Sequence, residues 1–255
     1  MSYGGSVTSR RLLPIRRIAR AAVSAGRTQR RPADIGARHA EWSIISSADD
    51  LVPPPSEHLL DLAVEVIQST RRVDTTELEG RCSTSDDLTY VRTWPGEHYR
   101  LLPGLCEVLR PQLAVEIGSF TGLGTLALAQ SCPRVVTYDL LPWTSFTTSA
   151  LRPEDFAAGK VEQRMCDLGD ASVFEQEREL LTQAEVIFID GPKDGHFEPR
   201  LLELLLPVAR QTGALLVFDD IRVVPMVRLW RELAMPKLDF TSFGHWSGTG
   251  LASAR

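Results

Sequence analysis

The sequence predicts an α/β fold, a doubly wound, seven-stranded, mostly parallel sheet with an antiparallel C-terminal hairpin. Three observations predict it. Short β-branched runs alternate with amphipathic helical stretches from residue 113 to 234, the pattern of a parallel sheet covered on both faces. Two further β-type runs, 238–243 and 250–252, are joined by a short loop, which calls for antiparallel pairing. Acids stand at successive strand ends: Glu116, Asp139, Asp167 just past the third strand, Asp190, and Asp219 with Asp220. Ligands of such sheets bind beyond the carboxyl ends of the strands, so these acids point at one crevice.

The elements follow in order. Pro53-Pro54-Pro55 closes a leader, and Ser56 is placed to cap a helix. Leu59, Leu60, Ala63, Val66 and Ile67 recur on one face and predict an amphipathic helix over 57–70. Residues 72–92 are polar, acidic and without periodicity, and read as a loop. Trp94-Pro95-Gly96-Glu97-His98-Tyr99-Arg100 opens a second helix that runs to about Leu109. Strands are expected at 113–117, 135–139, 161–166, 186–190 and 215–219, with helices at 123–131, 172–182, 197–210 and 224–234. A loop rich in Pro, Trp and Thr follows the second strand. Residues 1–55 form a basic N-terminal extension, 56–110 a helical cap region, and 111–255 the core that carries the ligand crevice.

A chain of 255 residues fits one α/β domain of ordinary size plus an extension. A net charge of -5 gives no reason to expect nucleic acid as a partner. The leader is different: residues 1–40 hold nine arginines and one acid, Asp34. It reads as a flexible or loosely helical tail, with weak contact to a membrane surface or polyanion and an organellar address as alternatives. No apolar run approaches the ~18–20 residues of a transmembrane segment. Arg16, Arg17 and Arg20 interrupt what would be the apolar stretch of a signal peptide, so a cytoplasmic location is expected. Cys82, Cys106, Cys132 and Cys166 lack metal or redox spacing and read as reduced thiols. A homodimer is compatible with all of this.

The turn after the first strand carries most of the functional information. Glu116-Ile117-Gly118-Ser119-Phe120-Thr121-Gly122-Leu123-Gly124 leads from a buried strand into a helix start, where glycines admit a ligand close to the backbone. Dinucleotide folds crowd their glycines as G-x-G-x-x-G; the order here is E-x-G-x-x-x-G-x-G. That order resembles motif I of the class I S-adenosylmethionine (SAM) methyltransferases. The resemblance implies a Rossmann-like methyltransferase fold, SAM as cofactor, and Gly118, Ser119, Gly122 and Gly124 around it. Asp139 is suited to accept ribose hydroxyls, with a helix cap as the alternative. Asp167 would meet the adenine amino group or simply serve a turn. Glu116 would hold the glycine loop or meet the amino group of SAM, and Asp190 borders the same site.

A second cluster points to a cation. Asp190 ends the fourth strand and Asp219 with Asp220 the fifth, and neighbouring strand ends bring the three carboxylates together. Convergent carboxylates repel unless a cation or protons intervene. Oxygen ligands without His or Cys favour Mg²⁺, Mn²⁺ or Ca²⁺ over zinc. Asp190-Gly191-Pro192-Lys193, followed by the Asp219-Asp220 pair, resembles the cation-dependent O-methyltransferases of the catechol and caffeoyl-CoA type and related bacterial sugar and secondary-metabolite enzymes. The similarity spans roughly 95–252. It implies that Asp190, Asp219 and Asp220 ligate the metal and that Lys193 is the general base, with His196 as the competing base. Those enzymes have Asp-Asn where this chain has Asp219-Asp220; the extra charge would tighten cation binding or give Asp220 another duty.

Methyl transfer from SAM is an in-line displacement, so the protein's work is alignment and deprotonation of a hydroxyl. A cation with open positions chelates adjacent oxygens best, which makes a small hydroxylated acceptor, a vicinal diol, catechol or sugar, the expected substrate. Trp94, Trp143 and Trp246 fall in loops able to rim the pocket, with core packing as the alternative. A metal-independent SAM methyltransferase and a non-catalytic binding protein on the same fold are the competing readings.

Overall fold

Helix α1 (Glu57–Thr70) begins where the Ser56 side chain accepts the Leu59 N–H at 3.2 Å. The computed structural model describes residues 55–93, 98–244 and 246–255. The basic leader, the Trp94–Glu97 opening of the expected second helix and His245 therefore lie outside the described residues. Leu59, Leu62, Ala63 and Val66 form the buried face of α1, while Leu60 turns outward.

The stretch 72–92 corrects the expected loop. It folds as two short helices, α2 (Thr76–Glu79) and α3 (Ser85–Arg92). Their apolar stripe is too thin to show as periodicity, because Leu78 and Val91 are the only buried side chains they supply. A local signal was present instead: Thr84 accepts the Asp87 N–H at 3.0 Å as a helix cap. Arg81, just past α2, pairs with Asp155 at 2.8 Å and anchors this region to the core.

Helix α4 (His98–Leu109) then leads into β1 (Ala114–Ile117), α5 (Leu123–Ser131) and β2 (Val135–Asp139). The loop after β2 holds a 3₁₀ turn (Trp143–Ser145) and α6 (Pro153–Ala157), both unforeseen in the sequence. There follow β3 (Val161–Met165), α7 (Ala171–Gln183), β4 (Val186–Ile189), α8 (Phe197–Thr212), β5 (Leu215–Asp219) and α9 (Val224–Glu232). The chain closes with β6 (Lys237–Asp239) and β7 (Thr249–Ala252). A 3₁₀ turn over Thr241–Phe243 cuts β6 shorter than the expected 238–243.

The seven strands lie in the order β3-β2-β1-β4-β5-β7-β6. The first five are parallel; β7 runs antiparallel to both β5 and β6, as the short connection required. Chain order reverses at the β1–β4 junction, so the crevice opens there. Strand side chains alternate between two cores. Val115, Ile117, Ile187, Ile189, Leu216 and Phe218 face α7, α8 and α9. Ala114, Val186, Phe188, Leu215 and Val217 face α1, α4 and α5. By the same alternation Glu116 and Asp219 point to the α4–α5 side, beneath the crevice.

Candidate active site

The glycine turn is built from below. Gly118 has φ +105°, and a Cβ on it would lie 2.0 Å from the Asp190 carbonyl oxygen, so only glycine lets β1 pass this close to the end of β4. Gly122 sits at the N-cap of α5. A Cβ on Gly124 would meet Glu116 Oε1 at 2.4 Å. Glu116 is 1% exposed, and its Oε2 accepts the hydroxyls of Thr137 (2.6 Å) and Thr125. Burial, reinforced by the charges of Asp190 and Asp139, pushes its pKa up to about 8, although the two threonines oppose the shift. Of its two expected roles, this position suits holding the loop. Ser119 is also buried and bonds Thr137 Oγ1 at 2.7 Å.

Above the turn lies a cavity of ≈ 420 Å³ walled by Gly118, Asp139, Asp167, Asp190, Lys193 and the rings of Phe120 and Phe146, among others. Glu116, Ser119, Gly122 and Gly124 do not line it. Asp139 is held by the Phe120 N–H (2.9 Å) and the Leu141 N–H (3.1 Å), which leaves lone pairs of both oxygens for a ligand. Asp167 accepts the Gly169 N–H at 2.8 Å and faces Arg200 at 3.8 Å. Phe120, 64% exposed, stands at the rim with its ring 5.1 Å from Phe146. Trp143 stacks instead on Phe156 at 5.5 Å, Trp246 is exposed, and Trp94 lies outside the described residues.

The three acids converge. Oxygens of Asp190, Asp219 and Asp220 lie within 4.8 Å of one another, the only such His, Cys, Asp or Glu grouping among the described residues. The Lys193 ammonium reaches all three: it pairs with Asp190, lies 2.9 Å from Asp220 Oδ2 and 3.5 Å from Asp219 Oδ2. Removal from water and the Asp219 charge raise the Asp190 pKa to about 7, against the pull of Lys193. Burial acts to lower the Lys193 pKa, but the charges of Asp190, Asp219 and Asp220 outweigh it and hold the ammonium well above its ordinary value. The lowering that a general base needs therefore requires these carboxylates to be neutralised by something else. The donor set, all carboxylate oxygens around a point already taken by a cationic group, fits a hard divalent cation.

Three residues absent from the expected site support it. His98, 4% exposed at the start of α4, brings Nδ1 to 3.5 Å from Asp219 Oδ1. Glu198, in the first turn of α8 and 1% exposed, accepts the Lys193 backbone N–H at 2.7 Å. Ser247, from the loop before β7, donates to Asp220 Oδ1, so Asp220 has a second partner besides Lys193. Lys193 (φ 52°) and Asp220 (φ 59°) both hold the left-handed conformation, a cost of ~1–3 kcal/mol each that persists where surroundings enforce it. The second expected base, His196, is exposed at the N-cap of α8 and does not line the cavity.

Comparison with known proteins bears on this geometry. A family model described as a methyltransferase domain matches residues 115–221, from β1 through the acidic pair after β5. The matched segment, residues 115–221, is similar to a methyltransferase domain. The chain resembles several solved structures. One is the O-methyltransferase TomG from Streptomyces achromogenes, involved in tomaymycin synthesis and solved with SAM; identity is 20%, coverage 86% of this chain and 95% of TomG, TM-score 0.45. Another is an O-methyltransferase from Bacillus cereus in complex with SAH, at 19% identity, 82% and 94% coverage and TM-score 0.46. A methyltransferase from Geobacter sulfurreducens has 18% identity, 87% and 96% coverage and TM-score 0.45. No curated protein matches the chain.

Proposed function

We propose that the protein is a SAM-dependent O-methyltransferase acting on a hydroxyl of a small molecule, a vicinal diol, catechol or sugar, with help from a divalent cation. One observation carries the reading: Asp190 belongs both to the cavity beside the glycine turn and to the three-carboxylate cluster. A methyl donor in the cavity and an acceptor oxygen at the cluster would thus be neighbours. The cavity volume falls within the range of small-molecule sites. Asp139 would hold the ribose and Gly118 the amino acid end of SAM. Asp190, Asp219 and Asp220 would hold the cation, whose contribution when bound is Lewis acidity toward the acceptor hydroxyl. Lys193, set free of its carboxylates, would take the hydroxyl proton.

The test is turnover with labelled SAM and a panel of catechols and glycosides, with and without Mg²⁺. EDTA should abolish turnover and Mg²⁺ restore it, and Asp190→Ala should remove the stimulation while leaving SAM affinity within a few-fold. Undiminished activity in Asp190→Ala would falsify the cation assignment. A metal-independent reading draws on one observation, the Lys193 ammonium already compensating the cluster, and EDTA-insensitive turnover would favour it.

A further inference from the structure

The Lys193 side chain stands at the point where a metal ion would stand. Its Nζ is within ion-pair reach of Asp190, Asp219 and Asp220, whose oxygens span no more than 4.8 Å. A divalent ion needs oxygens at ~2.0–2.6 Å, so in a triangle this small an ion and an ammonium would be in near contact, and like charges that close repel strongly. We propose that the Lys193 ammonium and a divalent cation are alternative occupants of this triangle, and that Lys193 turns out into the cavity when a cation is bound. The proposal rests on the cation-assisted reading above and adds an exclusion to it.

The surroundings make the exchange a side-chain movement. The Lys193 backbone is pinned by buried Glu198 at 2.7 Å. The Asp190 N–H bonds the Ile117 carbonyl at 2.8 Å. Gly191 is packed so tightly that a Cβ there would meet Phe197 Cε1 at 2.9 Å and Glu198 Oε1 at 3.0 Å. A fixed backbone leaves rotation of the lysine chain as the way out, and Lys193 already lines a cavity of ≈ 420 Å³ that can receive it. The same side chain that compensates the acids without metal then stands beside the acceptor, where it serves as base once deprotonated.

The sequence offers a direct readout, because lysine occurs only at positions 160, 193 and 237. Acetylation of the intact wild-type protein by an N-hydroxysuccinimide ester, followed by peptide mass spectrometry, reports each amine separately. With Mn²⁺ added, Lys193 should become about ten-fold more reactive as its ion pairs are lost, while Lys160 and Lys237 keep their rates. Calorimetry with Mn²⁺ alone gives the second arm. Lys193→Met should bind the ion about ten-fold more tightly than wild type, and Lys193→Arg, which keeps the charge, should stay near wild type. Mn²⁺ binding with unchanged Lys193 reactivity, or with Lys193→Met no tighter than wild type, overturns the exclusion and leaves the cation-assisted reading standing. No Mn²⁺ binding to any of the three proteins overturns both.

Discussion

Glu116 is a carboxyl group with almost no access to water, placed under the loop that shapes the cavity. Its pKa is about 8 in the folded protein and 4.5 in an unperturbed chain. Between those values the folded state holds more protons than the unfolded state, so its contribution to stability falls as pH rises from about 4.5 to about 8. Glu116→Gln, which keeps the shape and one acceptor, should flatten the pH dependence of Tm across this window and raise Tm at its alkaline end. Parallel Tm–pH curves for the two proteins would count against a protonated Glu116. At Lys193 the expected effect is on rate. Lys193→Ala should lower kcat by about 10²–10⁴-fold, the usual range for a lost general base, while His196→Ala leaves it within a few-fold. The opposite pattern in single-turnover kinetics transfers the role to His196. The acids were legible in the sequence because each ends a recognisable strand. His98, Glu198 and Ser247 were not: His98 and Ser247 reach their partners across the fold, Glu198 bonds a backbone N–H five residues back, and the resemblance, although it covers His98, assigned none of them a role.

At the scale of elements, the closeness of β1 to β4 depends on one residue. Gly118→Ala would meet the Asp190 carbonyl and force an unfavourable φ, so a stability loss of at least ~1–3 kcal/mol is expected, together with weakened SAM binding. Denaturant unfolding and calorimetry read the two effects, and a variant as stable as wild type with unchanged SAM affinity would contradict the packing described here. Five parallel strands and their helices were predictable to within a residue or two, because strand and helix periods differ sharply and each run is long enough to display its own. Helices α2, α3 and α6 escaped for the opposite reason. They are four, eight and five residues long, and α6 buries no side chain at all. The Ser56 cap and the β6–β7 pairing, by contrast, rested on local chemistry and loop length and were readable.

At the scale of the whole molecule, a cofactor that binds the folded state alone stabilises it by mass action. SAM at about 100 times its Kd should add ~2.7 kcal/mol, a Tm rise of several degrees by differential scanning fluorimetry. An unmoved Tm at millimolar SAM would remove the cofactor from the proposal. The antiparallel end of the sheet matters for the same site, because the loop before β7 holds the acidic pair: the Ile221 and Arg222 N–H groups bond the carbonyls of Gly248 (3.1 Å) and Ser247 (2.9 Å). Damage to that hairpin would therefore be felt at Asp220.

The far side of the sheet has a different problem. Strand β3 is an outermost strand, with one row of its backbone groups turned away from β2. Such a row invites pairing with another polypeptide. Here Glu162 and Arg164 stand on it, tied to each other at 2.7 Å, to Arg134 at 3.1 Å and to Glu177. A stranger adding itself along β3 would have to strip water from these charges or break their pairing. The lattice of ions on this rim thus works as a guard against fibrillar stacking, at the end of the sheet opposite the hairpin.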